Sequence, residues 1–258
     1  MIQMLALVGA LTFDHSYAVY ASVLRAQVRP TGVNYAALKA DRAGLDEAIA
    51  ALNSSAAGAE ATWSRDERLA FWINAYNMLT LRAIIDHYPI QSRWLTLAPR
   101  NSIRQIDGVW TSLKWQVAGR LVTLDDIEHR VVRPLFREPR IHFALNCASK
   151  SCPALALQPY LADRLGTQLD AAARAYLGTA EGARLTGTTL AVSSLFKWYG
   201  EDFVAEYASR IPATRPAHER AILGILAEYG PAAIADQARL GGGRIRFLDY
   251  NWSLNDQP

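Results

Sequence analysis

Cys147 and Cys152 are the chain's two cysteines, and they stand in Asn146-Cys147-Ala148-Ser149-Lys150-Ser151-Cys152-Pro153. A thiol acts as a nucleophile near neutral pH only where its pKa is lowered, by an imidazole, a cation or a helix N-terminus. Cys147 has Lys150 close by in sequence, His142 five residues before it and His129 further upstream. His129 is the preferred general base and His142 its substitute. Glu128 or Asp249 would orient the imidazole, and Asn74 or Asn77 would donate to an oxyanion or to substrate. Parity constrains one pairing. If residues 140–146 form a strand that runs unbroken to 147, His142 and Cys147 lie on opposite faces, so a direct pair needs the strand to end by Asn146.

Other chemistry fits the same residues. The two cysteines can pair as a disulfide, or bind zinc with His142 and His129, although their spacing is at the outer edge of the usual ligand separation. Cys147 can equally be a small core residue. Thioredoxin-type spacing is absent, as are the G-x-S-x-G, H-E-x-x-H, Walker and dinucleotide motifs. No cofactor is implied. Asn74 and Asn77 lie among large apolar residues, where a carboxamide that binds a neighbouring backbone is the commoner finding.

The positioning elements are read from periodicity and punctuation. Ile141, Phe143 and Leu145 alternate with His142, Ala144 and Asn146, which predicts a central strand over 140–146. Ser64-Arg65-Asp66-Glu67 is a capping box that opens a helix running to His87-Tyr88-Pro89. Helices are also predicted over 14–28, 41–52, 160–177, 195–207 and 217–229. A further short helix is capped at Thr123–Asp126 and limited by Pro134. Residues 53–62 are a surface connector. Hairpins are predicted over 115–122 and over 184–192, the latter turning at Gly187. Gly241–Gly243 is a hinge before a last strand at 245–248. The sum is a helix-rich α+β single domain over 14–258, around a small, mostly antiparallel sheet. A papain-like or transglutaminase-like core would suit a thiol enzyme by analogy.

With 258 residues, 51% of them hydrophobic, the chain can bury a full core. A net charge of +3, without a basic run interleaved with aromatics, argues against nucleic acid as a partner. The apolar run in residues 1–13 is too short for an integral membrane span. It reads as the remnant of a secretory signal or as an N-terminal core segment.

Four blocks carry a family resemblance. They are Phe71-Trp72-Ile73-Asn74-Ala75-Tyr76-Asn77, Leu124 to His129, His142 to Cys147 with Ser151-Cys152-Pro153, and Phe247 to Leu254. In that order they resemble the domain-of-unknown-function 547 family, bacterial type, over residues 14–255. The resemblance implies a periplasmic or secreted protein, with a cytoplasmic one as the alternative. Plant relatives keep a residue like Cys147 but carry serine in place of Cys152 and lack histidines like His129 and His142. That weighs against an obligatory disulfide or zinc site, and against a Cys–His enzyme throughout the family. The expected function is a thiol-dependent hydrolase or acyl transferase acting on a peptide or amide bond of an unidentified peptide or small molecule. Lys150, Trp198 and Trp252, with Asn74 and Asn77, would contact substrate. The alternatives are a non-catalytic peptide- or glycan-binding module, with Trp198, Tyr199 and Trp252 lining its groove, and a Cys/His metal-binding domain.

Overall fold

The computed structural model describes residues 13–54, 56–93, 98–241 and 243–257. The apolar N-terminal run up to residue 12 lies outside them. In chain order the elements begin with α1 (Ala18–Gln27), β1 (Val28–Arg29), β2 (Gly32–Val33), α2 (Tyr35–Ala40), α3 (Ala43–Ser54) and α4 (Arg65–His87). The hairpin β3 (Trp115–Val117) and β4 (Arg120–Val122) precedes α5 (Arg133–Phe136) and α6 (Leu165–Leu177). Then come β5 (Ala183–Thr186), β6 (Thr189–Val192), α7 (Leu195–Tyr207), α8 (Ala217–Tyr229), α9 (Ala232–Arg239) and β7 (Ile245–Phe247). The fold is a helix-rich α+β domain with small sheets. Its strand pairings are antiparallel except β6–β7, which is parallel. No helix among the described residues is long and apolar enough to cross a membrane.

The central element is α4. Its capping box forms as the sequence predicts: Ser64 Oγ accepts from the Glu67 amide and Glu67 Oε2 accepts from the Ser64 amide. Nearly every position from Leu69 to Ile85 is buried. A helix apolar on all sides is a core helix, and each buried Leu, Ile or Phe side chain contributes about 1.5–3 kcal/mol. A first cluster packs around α4 and takes in Tyr20, Leu24, Leu45, Val117 and Ile127. A second joins α6, α7 and α8 to β5 and β6, with Phe203, Leu190 and Leu223 at its heart.

The expected strand over 140–146 is not a strand. Pro139–Phe143 form a 3-10 turn that Glu138 caps by accepting from the Arg140 amide at 3.1 Å. Ile141, His142, Phe143, Ala144 and Leu145 are all buried, so the alternation of residue types does not reflect an inner and an outer face. The segment is the seam of the core: Ile141, Ala144 and Leu145 belong to the first cluster and Phe143 to the second. Pro134 does not end its helix either. The Arg133 amide donates to the Glu128 carbonyl across a π-turn over Asp126–Val132. Pro134 then sits in the first turn of α5, where its missing N–H costs nothing. Other expected helices start late, α1 at Ala18 and α6 at Leu165, and α2 and α9 lacked a clear sequence signal. Gly241 and Gly243 form a turn with positive φ before β7, while Gly242 is outside the described residues.

The C-terminal tail ties the halves together. Leu254 N donates to Asn101 O at 2.7 Å, Val33 N to Asn255 O at 2.9 Å, and Asn255 N to Ala148 O at 3.1 Å. Gly32 lets the tail in: its φ is +146°, and a Cβ there would lie 2.1 Å from Asn255 O. Strain and overpacking act together at that point, so Gly32→Ala is expected to lower the urea unfolding free energy by roughly 1–3 kcal/mol. An unchanged denaturation midpoint would show that the tail does not brace the fold.

Candidate functional site: a thiol in an aromatic cleft

Two carboxamides shape the loop that carries Cys147. Asn77 on α4 donates through Nδ2 to Ala144 O at 3.0 Å and accepts at Oδ1 from Asn146 N at 2.9 Å. Asn146 then accepts from Ala148 N at 2.9 Å and donates to Pro153 O at 2.8 Å, which closes the loop around both cysteines. Ala148 takes φ +58° at the turn. Lys150 N donates to Ser253 O and Asn251 N to Ser151 Oγ, so the tail holds the loop from outside. Tyr176 of α6 donates to Ser151 O at 2.8 Å.

Cys147 and Cys152 are both free; Cys147 is half-buried and Cys152 buried. The Cys147 amide donates to Cys152 Sγ at 2.9 Å. Around Cys147 Sγ stand Ser149 Oγ at 3.2 Å, Tyr250 Oη at 3.3 Å and the Cys152 thiol. The hydrogen bond from Cys152 is the largest influence on Cys147. Burial opposes it, and the Ser149 and Tyr250 hydroxyls add to it, so the thiol pKa is lowered to about 7. Burial, and then the neighbouring Cys147, push Cys152 well up. Burial also keeps Tyr250 a protonated phenol. The asymmetry assigns the roles: Cys147 carries the negative charge and its neighbours donate.

The thiol opens into a cleft of about 480 Å3, within the range of about 300–1,000 Å3 usual for small-molecule sites. Glu128, His129, His142, Trp198, Tyr199 and Trp252 line it together with Cys147. His142 Nε2 lies 2.7 Å from Asp202 Oδ2, and its ring stacks on Tyr199 with centroids 4.2 Å apart. Arg133 grips the same carboxylate through Nε at 2.6 Å and Nη2 at 3.0 Å. Burial opposes ionisation of Asp202, but the His142 and Arg133 hydrogen bonds outweigh it and hold the carboxyl well below its usual range. Arg133 Nη1 also lies 2.7 Å from His129 Nδ1. Guanidinium only donates, so His129 Nδ1 accepts and its ring proton sits on Nε2, 3.4 Å from Asp125 Oδ1. The Asp202 carboxylate only accepts, so His142 donates to it from Nε2. Neither imidazole is among the hydrogen-bond partners of Cys147 Sγ.

The structure therefore brings together Cys147, Glu128, His129, His142, Trp198 and Trp252. It separates the others. Asn74 binds the Tyr160 backbone at 2.8 and 2.9 Å, so it and Asn77 hold loops and do not face the cleft. Lys150 is exposed and lines other grooves, away from the thiol. Asp249 is exposed, does not line the cleft and bonds neither imidazole; Asp202 is the orienter of His142. With Pro139–Phe143 in a 3-10 turn and no strand over 140–146, strand parity does not govern His142 and Cys147. Among the described residues no group of three or more His, Cys, Asp or Glu is arranged to hold a metal ion. The residues that sequence reasoning missed are Ser149, Tyr250, Asp202 and Arg133. Tyr250 lay inside the Phe247 to Leu254 block and Ser149 between the two cysteine segments, whereas Asp202 has no local signal.

Cys152→Ala removes the main donor to Cys147. The pH profile of Cys147 alkylation by iodoacetamide is expected to move upward towards the free-thiol pKa of about 8.5, and Cys152→Ser, which keeps a donor, to move it less. A profile that stays in place in both variants would show that Cys152 does not set the acidity of Cys147.

No curated protein and no solved structure matches the chain. A family model covers residues 61–177, a stretch that includes α4, both cysteines, Glu128 and the two cleft histidines, while Asp202 and the Trp198–Tyr250–Trp252 wall lie beyond it. That model is described as "Protein of unknown function, DUF547", and the matched stretch supports assignment of the chain to this family.

Proposed function

We propose that the protein is a thiol-dependent hydrolase or acyl transferase acting on a peptide or amide bond, with Cys147 as nucleophile. The observation that carries this reading is the half-buried thiol that faces a ligand-sized cleft and is surrounded by the Cys152, Ser149 and Tyr250 donors. Such a thiol is substantially ionised at neutral pH and remains a good nucleophile.

The tautomers favour His142 over His129 as the base, the reverse of the order that the sequence suggests. His142 donates from Nε2 to the Asp202 carboxylate behind it, so Nδ1 is the ring nitrogen that would take a proton, while Arg133 occupies the lone pair of His129. In this reading the sulfur attacks the acyl carbon and forms a C–S bond. The C–N bond breaks, and the proton taken from the thiol leaves with the amine through His142. Water or an acceptor amine then cleaves the thioester. The Cys147 and Ala148 amides are committed to Cys152 and Asn146. The developing oxyanion is therefore left to the Tyr250 hydroxyl and the His129 Nε2–H.

The aromatic wall of Trp198, Tyr250 and Trp252 supports a second reading, a non-catalytic module that binds a peptide or glycan. A panel of acyl esters and N-acyl p-nitroanilides, followed by intact-protein mass spectrometry, separates the two. The enzyme accumulates an acyl adduct on Cys147, and turnover falls roughly a thousandfold or more in Cys147→Ala and about 100–10,000-fold in His142→Ala. The absence of any adduct, with peptide or glycan binding intact in Cys147→Ala, would replace the enzyme with the module.

A further inference from the structure

Glu128 has no part in the proposed thiol chemistry, yet it is a carboxylate only 8% exposed in the wall of the cleft. Among the described residues it makes no ion pair. The Arg133 guanidinium feels the Glu128 charge but makes its hydrogen bonds to Asp202 and His129. The Tyr199 hydroxyl stands against Glu128. Burial first, and then the Glu128 charge, keep that phenol protonated. A buried carboxylate with a neutral phenol as its partner is costly unless a cation joins it.

The surroundings suit one. Tyr76, Trp110, Trp198, Tyr199, Tyr250 and Trp252 line the same cleft, Asp125 adds a second carboxylate, and no lysine or arginine is among the lining residues. Trp198, Tyr250 and Trp252 pack side by side with ring centroids 4.6–5.7 Å apart. Aromatic faces attract ammonium and guanidinium groups through the ring quadrupole, and two of these rings already do so at the margin. Arg133 lies over Tyr199 and the exposed Arg104 over Trp252, each 5.1 Å from the centroid.

We infer that the cleft takes a ligand bearing an organic cation, an ammonium or guanidinium group, seated on the aromatic wall with Glu128 as its counter-ion. This names the class of compound offered to Cys147, and so rests on the proposed function for its catalytic meaning, though not for the binding itself.

Tryptophan fluorescence of the full chain tests it with two matched pairs. Choline is compared with its neutral isostere 3,3-dimethylbutan-1-ol, and N-acetylarginine amide with N-acetylcitrulline amide. The first pair stands for a free quaternary amine, the second for a peptide side chain. The charged member of at least one pair is expected to bind roughly tenfold tighter than its neutral partner. Glu128→Gln erases that preference, and Trp198→Ala, at a position 43% exposed, weakens it. Equal binding within both pairs, no saturable signal from either cation, or a preference unchanged in Glu128→Gln overturns the inference. The same titration in Cys147→Ala keeps the two readings apart. Cation selectivity in a wild-type protein that forms no acyl adduct with any ester or anilide removes only the enzyme, while adduct formation on wild-type Cys147 without cation selectivity removes only this inference.

Discussion

The bidentate grip of Asn77 on the backbone of Ala144 and Asn146 is the constraint on which the site depends. Asn77 is 2% exposed on a helix buried on every side. Each buried polar group left without a partner costs about 1–3 kcal/mol, so the carboxamide must be satisfied from a neighbouring segment. The chain meets this by turning 139–146 into a tight, locally hydrogen-bonded piece whose end Asn77 fixes. Asn146 repeats the device one step on and sets the turn that carries both cysteines. The position of the thiol thus follows from an unavoidable hydrogen-bond requirement inside the core.

The thiol is activated by donors more than by a paired imidazole. Burial alone raises a thiol pKa, and Cys152, the deeper of the two, is pushed well up by burial first and by the neighbouring Cys147 next. Cys147 departs from it because donors from three residues converge on its sulfur. Two of these, Ser149 and Cys152, come from its own loop. The third, Tyr250, comes from a tail segment 103 residues away that also hydrogen-bonds the loop backbone. The histidines are organised separately, through Arg133 and Asp202 on a path from the π-turn to α7. The π-turn matters here because it carries Glu128 and His129, both of which line the cleft.

Much of this was legible where local rules and burial agree. The capping box opened α4 at Ser64, Gly187 turned the β5–β6 hairpin, and the aromatic-rich stretch Leu195–Tyr207 gave α7. The cysteine loop itself stood out from its residue types. Residues 140–146 misled because period-two alternation signals a strand only when one face meets solvent, and this segment is buried throughout. Asp202 was out of reach because its link to His142 spans 60 residues and rests on how α7 packs against the seam. Asn74 and Asn77 were identified as buried amides, and the structure gives them the backbone-holding role that such amides usually have.

The central claim is that Cys147 is about half ionised near pH 7 in the folded chain, well below the free-thiol range. Thiolate absorbance near 240 nm, followed against pH as the difference between wild type and Cys147→Ala, measures this directly. The account predicts a single step centred at about 7. A step at or above the free-thiol value of about 8.5, or none before unfolding, would contradict it and return Cys147 to the role of a small core residue.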